Sequence, residues 1–400
     1  DIFIERHRNP LVAPKRDIRP KPETCTGADS PARFAVLPAR IGSSRRVRQP
    51  YFFPRVSDMS ACKFIICLLA FLPLVAAAQT TPTVPQPPPG AVKFRIATVD
   101  LGDLRTQALL EKDSPRLREL ARAIQRIRPQ VLLLSGLTFD MLGTPGFDGT
   151  EPAGSNAKRF VEKYLQIPQA PQLAGLRYRI FVDQPNRGVP SGLDLNQDGK
   201  VATEFPLAPA TQEQKLALAE YSADCWAPGD FPGQGGMALL VDERLEIRAK
   251  EIRTFRKVPW SYMEAAFLPV RDDGTPLLSK EQMEVARLSS AGHWCVPVAL
   301  PNKSVVHLLC SNPTRPEKSG SNASRRNHDE IRFWADFVDE APWIVDDDGL
   351  EGGLRRGLTF VILGNLNADP TRGEKYRDPI NTVLAATRKI NLGFVPAAPG

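Results

Sequence analysis

Histidine is scarce in this chain, four in 400 residues, and cysteine is little commoner at six. None of them falls at the spacing of a tetrahedral Cys/His centre, so a structural zinc site does not organise the fold. Cys25, Cys62 and Cys67 lie in the first 67 residues, leaving Cys225, Cys295 and Cys310 in the remainder. Three thiols allow at most one disulfide and leave one over. A basic face is also lacking. The formal net charge is +7, but residues 1–58 carry twelve Lys/Arg against six Asp/Glu, and the rest of the chain is close to neutral. The totals therefore give no support to a nucleic-acid-binding surface. No internal repeat is present. The longest apolar run, beginning at Phe64, is about fifteen residues, short for a membrane span.

That run reads as part of a secretory signal peptide over 59–78. Lys63 supplies the positive n-region, Phe64 to Val75 the apolar h-region, and Ala76-Ala77-Ala78 the small-residue cleavage site before Gln79. The Arg- and Pro-rich residues 1–58, which do not begin with Met, read as upstream sequence outside the mature protein. Cleavage implies a secreted or periplasmic product with no membrane attachment. Residues 79–91 form a Pro-rich linker, extended in character. A single domain is expected over 92–400.

Within that domain, 93–99 reads as a first strand. A helix is expected over 115–128, with Ser114 as N-cap, Pro115 at the first helical position, and Leu117, Leu120, Ala121, Ile124 and Ile127 at helical spacing. Residues 130–134 form an apolar strand, completing a βαβ-like opening. A loop-rich insertion from Thr138 to about Gly233 holds a helix over 156–164 and a strand over 177–182. Residues 237–241 and 245–255 read as paired strands. Residues 296–300 and 304–311 read as a second pair, turning at Pro301-Asn302. An aromatic-rich amphipathic helix over 329–338, a buried strand over 358–363 and a helix over 379–388 follow. The mixture implies an α/β class fold, a two-sheet sandwich.

The stretch Leu358-Thr-Phe-Val-Ile-Leu-Gly364-Asn365-Leu-Asn367-Ala-Asp369-Pro370 draws attention because polar side chains crowd just past an apolar strand, where α/β proteins usually meet ligands. A plain polar turn is the competing reading. Gly364–Pro370 resembles the Gly-Asp-x-Asn-Ala-Asp-Pro signature of the endonuclease/exonuclease/phosphatase superfamily. Arg95-Ile96-Ala97-Thr98 is similar to that family's opening strand and Val131–Leu134 to its second. Asp224-Cys225-Trp226, Phe231–Gln234, Gly236–Leu239, Leu288-Ser289-Ser290, His293-Trp294 and Arg326–Trp334 look like blocks of its exported bacterial members.

The resemblance implies a phosphoester hydrolase using Mg²⁺ or Mn²⁺, which neutralises phosphoryl charge and positions the attacking water. It also implies where this chain departs from the pattern. Asn365 stands where the family has the Asp that orients or deprotonates the water. Ser135-Gly136 replaces the Asn-Glu pair that follows the second strand and supplies a metal carboxylate. Asn312 in Ser311-Asn312-Pro313 replaces a His. The Asp-His pair of a late strand has no counterpart before Gly400, so the last strands of the second sheet are expected to be missing. Asn367 keeps the phosphate-holding amide, and Asp100 puts a carboxylate where an Asn is usual and could hold the metal. His293, beside Trp294, is a candidate cleft residue, whereas His307 inside an apolar strand reads as a hydrogen-bonded core histidine. Arg326, Asn327 and Asp329 are expected to cap and pack a helix. Asp194, Asn196 and Asp198 with Gly199 match the start of a calcium loop, although Phe205 stands at the twelfth position and a polar turn is the alternative.

The expectation is a secreted member of that family, by resemblance a divalent-metal-dependent phosphoester hydrolase, with weak or no activity because of the substituted catalytic residues. An inactive exported binding protein, with Ca²⁺ at 194–199, or a truncated gene product are the alternatives. The substrate class is open.

Overall fold

The computed structural model describes residues 3–4, 94–111, 113–370, 377–387 and 390, all within one compact unit made of residues 1–8 and 89–400. The signal peptide, the Pro-rich linker and nearly all of the upstream segment lie outside the described residues. Among the described residues no helix is long and apolar enough to cross a membrane.

Two five-stranded sheets form the centre. The first holds β1 (Phe3–Ile4), β2 (Ile96–Leu104), β3 (Val131–Leu137), β4 (Tyr178–Phe181) and β5 (Gly236–Asp242), in the order β1-β4-β5-β3-β2. The second holds β6 (Glu246–Ile247), β7 (Arg253–Thr254), β8 (His293–Ala299), β9 (Val305–Ser311) and β10 (Thr359–Gly364); its main path runs β10-β9-β8-β6, with β7 also pairing β8. β2 runs parallel to β3, and β10 parallel to β9.

Strand alternation explains why β3 is apolar without a break. Successive side chains point to opposite faces, and a strand covered on both must be apolar at every position. Val131 and Leu133 join Leu239, Val241, Val296, Val298, Val306 and Leu308 between the two sheets. Leu132 and Leu134 point the other way, against Leu117, Ala121 and Ile124 of α2 (Pro115–Ile127) and Phe160 of α3 (Asn156–Phe160). On the outer face of the second sheet, Cys295 and Leu309 meet Ile331, Phe333, Trp334 and Phe337. These belong to α6 (Asn322–Val338). The result is a helix–sheet–sheet–helix sandwich, the two-sheet α/β fold expected.

α2 begins as anticipated: Ser114 Oγ accepts from Leu117 N–H at 3.4 Å, and Pro115 occupies the first turn. α1 (Thr106–Leu110) precedes it. Several expectations are corrected. β5 does not pair with 245–255; it lies antiparallel between β3 and β4 in the first sheet. Residues 245–255 instead form β6, a 3₁₀ turn (Ala249–Glu251) and β7, all on the second sheet's side. The insertion contains an unanticipated helix α4 (Gln212–Ala223), started by a Thr211/Gln214 capping box. A short α5 (Lys280–Met283) follows. α6 starts seven residues earlier than expected, with Ser321 as its N-cap, so Arg326, Asn327 and Asp329 are interior positions, not caps. The C-terminal helix is a single π-helical turn, Ile380–Leu384.

Two glycines shape the ends of the strands. Gly364 approaches β9 so closely that a Cβ would sit 1.9 Å from the Ser311 carbonyl oxygen. Gly136 has φ +72°, and the β3 ladders with both β2 and β5 shift register beside it, the mark of a bulge. A Cβ there would lie 2.3 Å from Gly102 O and 3.0 Å from Asp100 Oδ1.

Candidate phosphoester site

The C-terminal ends of β2, β9 and β10 converge, and they bring together four of the expected residues. Asp100 comes from the bulged end of β2. Its Oδ1 accepts the Gly102 N–H at 2.9 Å, and its Oδ2 accepts from Asn365 Nδ2 at 2.7 Å. Asn365 Oδ1 accepts the Asn367 N–H at 3.1 Å. That second bond fixes which end of the amide faces Asp100, because turning the group would set two oxygens together and strand a backbone donor. Asn367, in the left-handed region at φ +51°, donates Nδ2–H to Pro313 O at 2.9 Å. Asn312 is buried and makes one long contact, Nδ2 to Gly235 O at 3.4 Å.

Two buried groups that the sequence did not assign to the site, Asn327 and Glu330, hold this arrangement, and a half-buried arginine, Arg187, lies close to them. Asn327 Nδ2 donates to Thr314 O at 2.8 Å and Leu366 O at 2.9 Å, tying together the segments that follow β9 and β10. Glu330, wholly buried, accepts from Ser290 N and Oγ and from Thr314 N, each at 2.6 Å. Arg187 feels the carboxylates of Glu330 and Asp100, yet its guanidinium donates no hydrogen bond to another described residue. Burial pulls its pKa below the ordinary guanidinium value, and the two carboxylates oppose that shift. Arginine remains cationic at neutral pH all the same. Nothing in the sequence distinguishes Arg187 from other loop arginines; Asn327 was legible only as part of a helix.

His293 is not at this site. It is fully buried at the start of β8, with its ring against Phe333 and Trp334 of α6. Nε2 donates to Glu330 O at 2.8 Å, so in the neutral ring Nδ1 accepts from the Ser289 hydroxyl at 2.6 Å, whose single proton is shared with Phe255 O at 3.0 Å. Desolvation pushes its pKa down, and the Glu330 charge opposes this. His307 is a buried strand residue bonded through Nδ1 to Thr359 O at 3.2 Å. Arg326, Asn327 and Asp329 all serve packing or bracing. Asp329, for instance, accepts from Trp260 Nε1 at 2.7 Å and Phe267 N at 2.6 Å.

The loop carrying Asp194, Asn196 and Asp198 is elsewhere, anchored by Asp224, which accepts from Leu195 N and Ala202 N at 2.8 Å. Its own oxygens are engaged internally. Asp194 accepts from Asp198 N at 3.0 Å and Gly199 N at 2.8 Å, and Asn196 Nδ2 donates to Asp198 Oδ2 at 3.0 Å.

A divalent cation does not fit the residues at the strand ends. Mg²⁺ and Mn²⁺ favour oxygen donors, carboxylates above all. Among the described residues, Asp100 supplies the carboxylate that meets Asn365, and the amide NH₂ of that neighbour donates to it at 2.7 Å. Gly136 has neither a side chain nor room for one. Among the described residues, no three of His, Cys, Asp and Glu are grouped to hold a metal ion.

The fold and the position of this cluster define an α/β sandwich protein with a site at the strand ends. The chain belongs to the endonuclease/exonuclease/phosphatase family, whose model matches residues 106–399. Among solved structures it is similar to an endonuclease/exonuclease/phosphatase from Beutenbergia cavernae, at 13% identity and a TM-score of 0.35, covering 70% of this chain and 49% of that one. It is also similar to a family protein from Leptotrichia buccalis (10%, TM-score 0.32, covering 69% and 67%). The human Nocturnin catalytic domain with bound sulfate anion gives 11%, TM-score 0.31, and 69% and 66% coverage. The match thus spans about half of the Beutenbergia chain, and these likenesses are distant. No curated protein matched.

Proposed function

We propose that this chain is an exported, phosphoester-binding member of the family whose hydrolytic activity is weak or lost. The observation that carries the reading is the Asn365–Asp100 hydrogen bond. An amide donor occupies the position where the family's carboxylate would activate water, and it uses up the carboxylate oxygen nearest to it. Asn365 cannot take a proton from water, and Asn312 cannot give one to a leaving group near neutral pH. Loss of one general acid or base lowers a rate by about 10²–10⁴. Losing both, together with the metal's charge stabilisation, leaves little above background.

What survives is suited to holding an anion. The Arg187 guanidinium and the amides of Asn312, Asn365 and Asn367 are donors of the kind that bind phosphoryl oxygens. The test is hydrolysis of bis(4-nitrophenyl) phosphate and 4-nitrophenyl phosphate with Mg²⁺ or Mn²⁺, alongside titration with inorganic phosphate. The reading expects no metal-dependent turnover and phosphate binding weakened by Arg187→Gln. Metal-dependent turnover that Asn367→Ala abolishes would overturn it.

A further inference from the structure

The end of the first sheet opposite Asp100 carries an uneven share of the charge. β2, β3 and β4 run in one direction, so their N-terminal ends lie together there, beside the C-terminal ends of β5 and α2. Arg95, Arg126, Arg128, Arg177, Arg179 and Arg244 meet at this end, and all but the half-buried Arg179 are exposed. Arg95 Nη1 donates to Ile127 O at 3.0 Å, Arg179 Nε to Glu243 O at 3.2 Å, and Glu243 N to Arg177 O at 3.3 Å. Arg244 bonds both oxygens of Asp242, at 2.8 and 2.7 Å, and Arg128 acts on that carboxylate from farther off. Lys303, in the β8–β9 turn, adds an exposed cation at the same end of the second sheet, where Leu300 and Phe94 share the inter-sheet core.

These seven cations meet three carboxylates, Asp242, Glu243 and Glu246, in a chain whose residues beyond 58 are close to neutral. The sequence totals hid this face because carboxylates elsewhere balance it. A near-neutral body with one basic end approaches an anionic partner in one orientation. Arg126, Arg128 and Arg177 donate no hydrogen bond and form no ion pair to other described residues, so their charge is open to a partner. Three features favour a membrane over other polyanions. Ile127, between Arg126 and Arg128, is 51% exposed. Cations that pair with headgroups, around an apolar side chain that enters the interface, are how a peripheral protein holds an anionic bilayer. Phe94 and Tyr178, the aromatic residues at this end, are half-buried, and the Tyr178 hydroxyl donates to Pro129 O at 2.8 Å, so nucleobases find no stacking platform. The chain also enters the domain here: Arg95 follows the apolar run that ends at Val75 by twenty residues. A bilayer that holds that run meets this end of the domain first.

We propose that this end is a peripheral docking surface for a bilayer bearing anionic headgroups, held by Arg126, Arg128 and Arg177 with Ile127 inserted between them. The Asp100–Asn365 cluster, at the opposite end of β2, then faces away from the membrane.

The test is co-sedimentation of the full chain with phosphatidylcholine vesicles containing about one-third phosphatidylglycerol. Residues 1–58 and the apolar run are the same in every variant, so ratios between variants read this face alone. Arg126→Glu, Arg128→Glu and Arg177→Glu together should weaken partition by about 100-fold or more, at about 5-fold per arginine. Lys200→Glu, Lys215→Glu and Lys280→Glu make the same charge change at exposed positions in the insertion and α5, and should weaken it by less than about threefold, because screening confines the effect to nearby charges. Ile127→Ser should cost about 3- to 5-fold without changing the salt dependence. Binding of inorganic phosphate should be the same in the arginine variant as in the natural chain, which separates this face from the strand-end site. Should Arg128→Glu unsettle the C-cap of α2, the pair Arg126→Glu and Arg177→Glu still decides, at about 25-fold. Equal losses in the arginine and lysine variants, or arginine-dependent binding to a DNA duplex without arginine-dependent binding to the vesicles, would overturn the proposal.

Discussion

Replacing Gly136 should damage the fold rather than mend the site. The sequence resemblance sets this position against a metal-binding Glu, and restoring that carboxylate looks at first like the natural rescue. The geometry rejects it. A residue other than glycine at φ +72° carries a conformational cost of roughly 1–2 kcal/mol. Its Cβ would in addition meet Gly102 O at 2.3 Å and Gly102 C at 3.0 Å, both backbone atoms within the β2 bulge. Opening that bulge is an overpacking event of about 1–3 kcal/mol. Gly136→Ala should therefore cost about 2–5 kcal/mol, and Gly136→Glu no less. Gly149 supplies the control, since it has a similar φ of +77° and open space within 4 Å of where its Cβ would stand. Gly149→Ala should lose only the conformational share, about 1–2 kcal/mol. For a domain of this size each kcal/mol moves Tm by about 2–4 °C. Scanning calorimetry of the two alanine variants should thus place Gly136→Ala several degrees below Gly149→Ala. Equal melting temperatures would refute the close approach of β2 and β3 on which the account of the site depends.

Other perturbations have equally definite signs. Asn365→Asp would set a second carboxylate beside Asp100 Oδ2, across the present 2.7 Å contact. One of the two then holds its proton to higher pH, so stability is intact below the carboxylate range and falls as pH rises through it. A one-unit rise removes at most about 1.4 kcal/mol, less where water reaches the pair, and denaturation against pH with and without Mn²⁺ reads it. His293 behaves oppositely. Its folded pKa is depressed by burial, so its contribution is complete above about pH 6.5 and is lost as pH falls below that value. His293→Asn should flatten the acid limb of the stability profile, at a fixed cost in stability. Cys295 and Cys225 are buried thiols whose pKa values burial pushes up to about 12, and Cys310 is raised well above its ordinary value. None should react with a maleimide in the native protein at pH 7, and all three should react in denaturant. Asn327→Ala should lower stability by about 1–3 kcal/mol and loosen the 312–314 and 365–367 segments together, visible as faster amide exchange in both.

The parts of the fold that were legible are those specified by local patterns. Ser114-Pro115 and the apolar spacing behind them fixed α2 within a residue. The apolar run from Val131 marked a strand, and Pro301-Asn302 marked the β8–β9 turn. What failed was non-local or unpatterned. β5 and the 245–255 segment are neighbours in sequence and resemble a hairpin, but β5's partners are β3 and β4, which sequence proximity cannot reveal. α4 was missed because only Tyr221 is buried along it, so it shows no apolar stripe, although Thr211 and Gln214 carried its cap signal. At the site, the asparagines could be read from their motif, but His293 beside Trp294 looked accessible when both are core residues. Gly136 read as a missing carboxylate. That it also has no room for one depends on Gly102, thirty-four residues away in the chain.

The most direct test of the account is Mn²⁺ binding by the full chain, followed by electron paramagnetic resonance, with Asp100→Asn and Asn365→Asp beside it. If the Asn365 amide takes up the Asp100 carboxylate, the natural chain binds no Mn²⁺ at the strand ends at micromolar concentrations, Asp100→Asn changes nothing, and Asn365→Asp gains a site. Stoichiometric micromolar binding by the natural chain that disappears with Asp100→Asn would contradict it, and would put a metal-dependent phosphoesterase back at the strand ends.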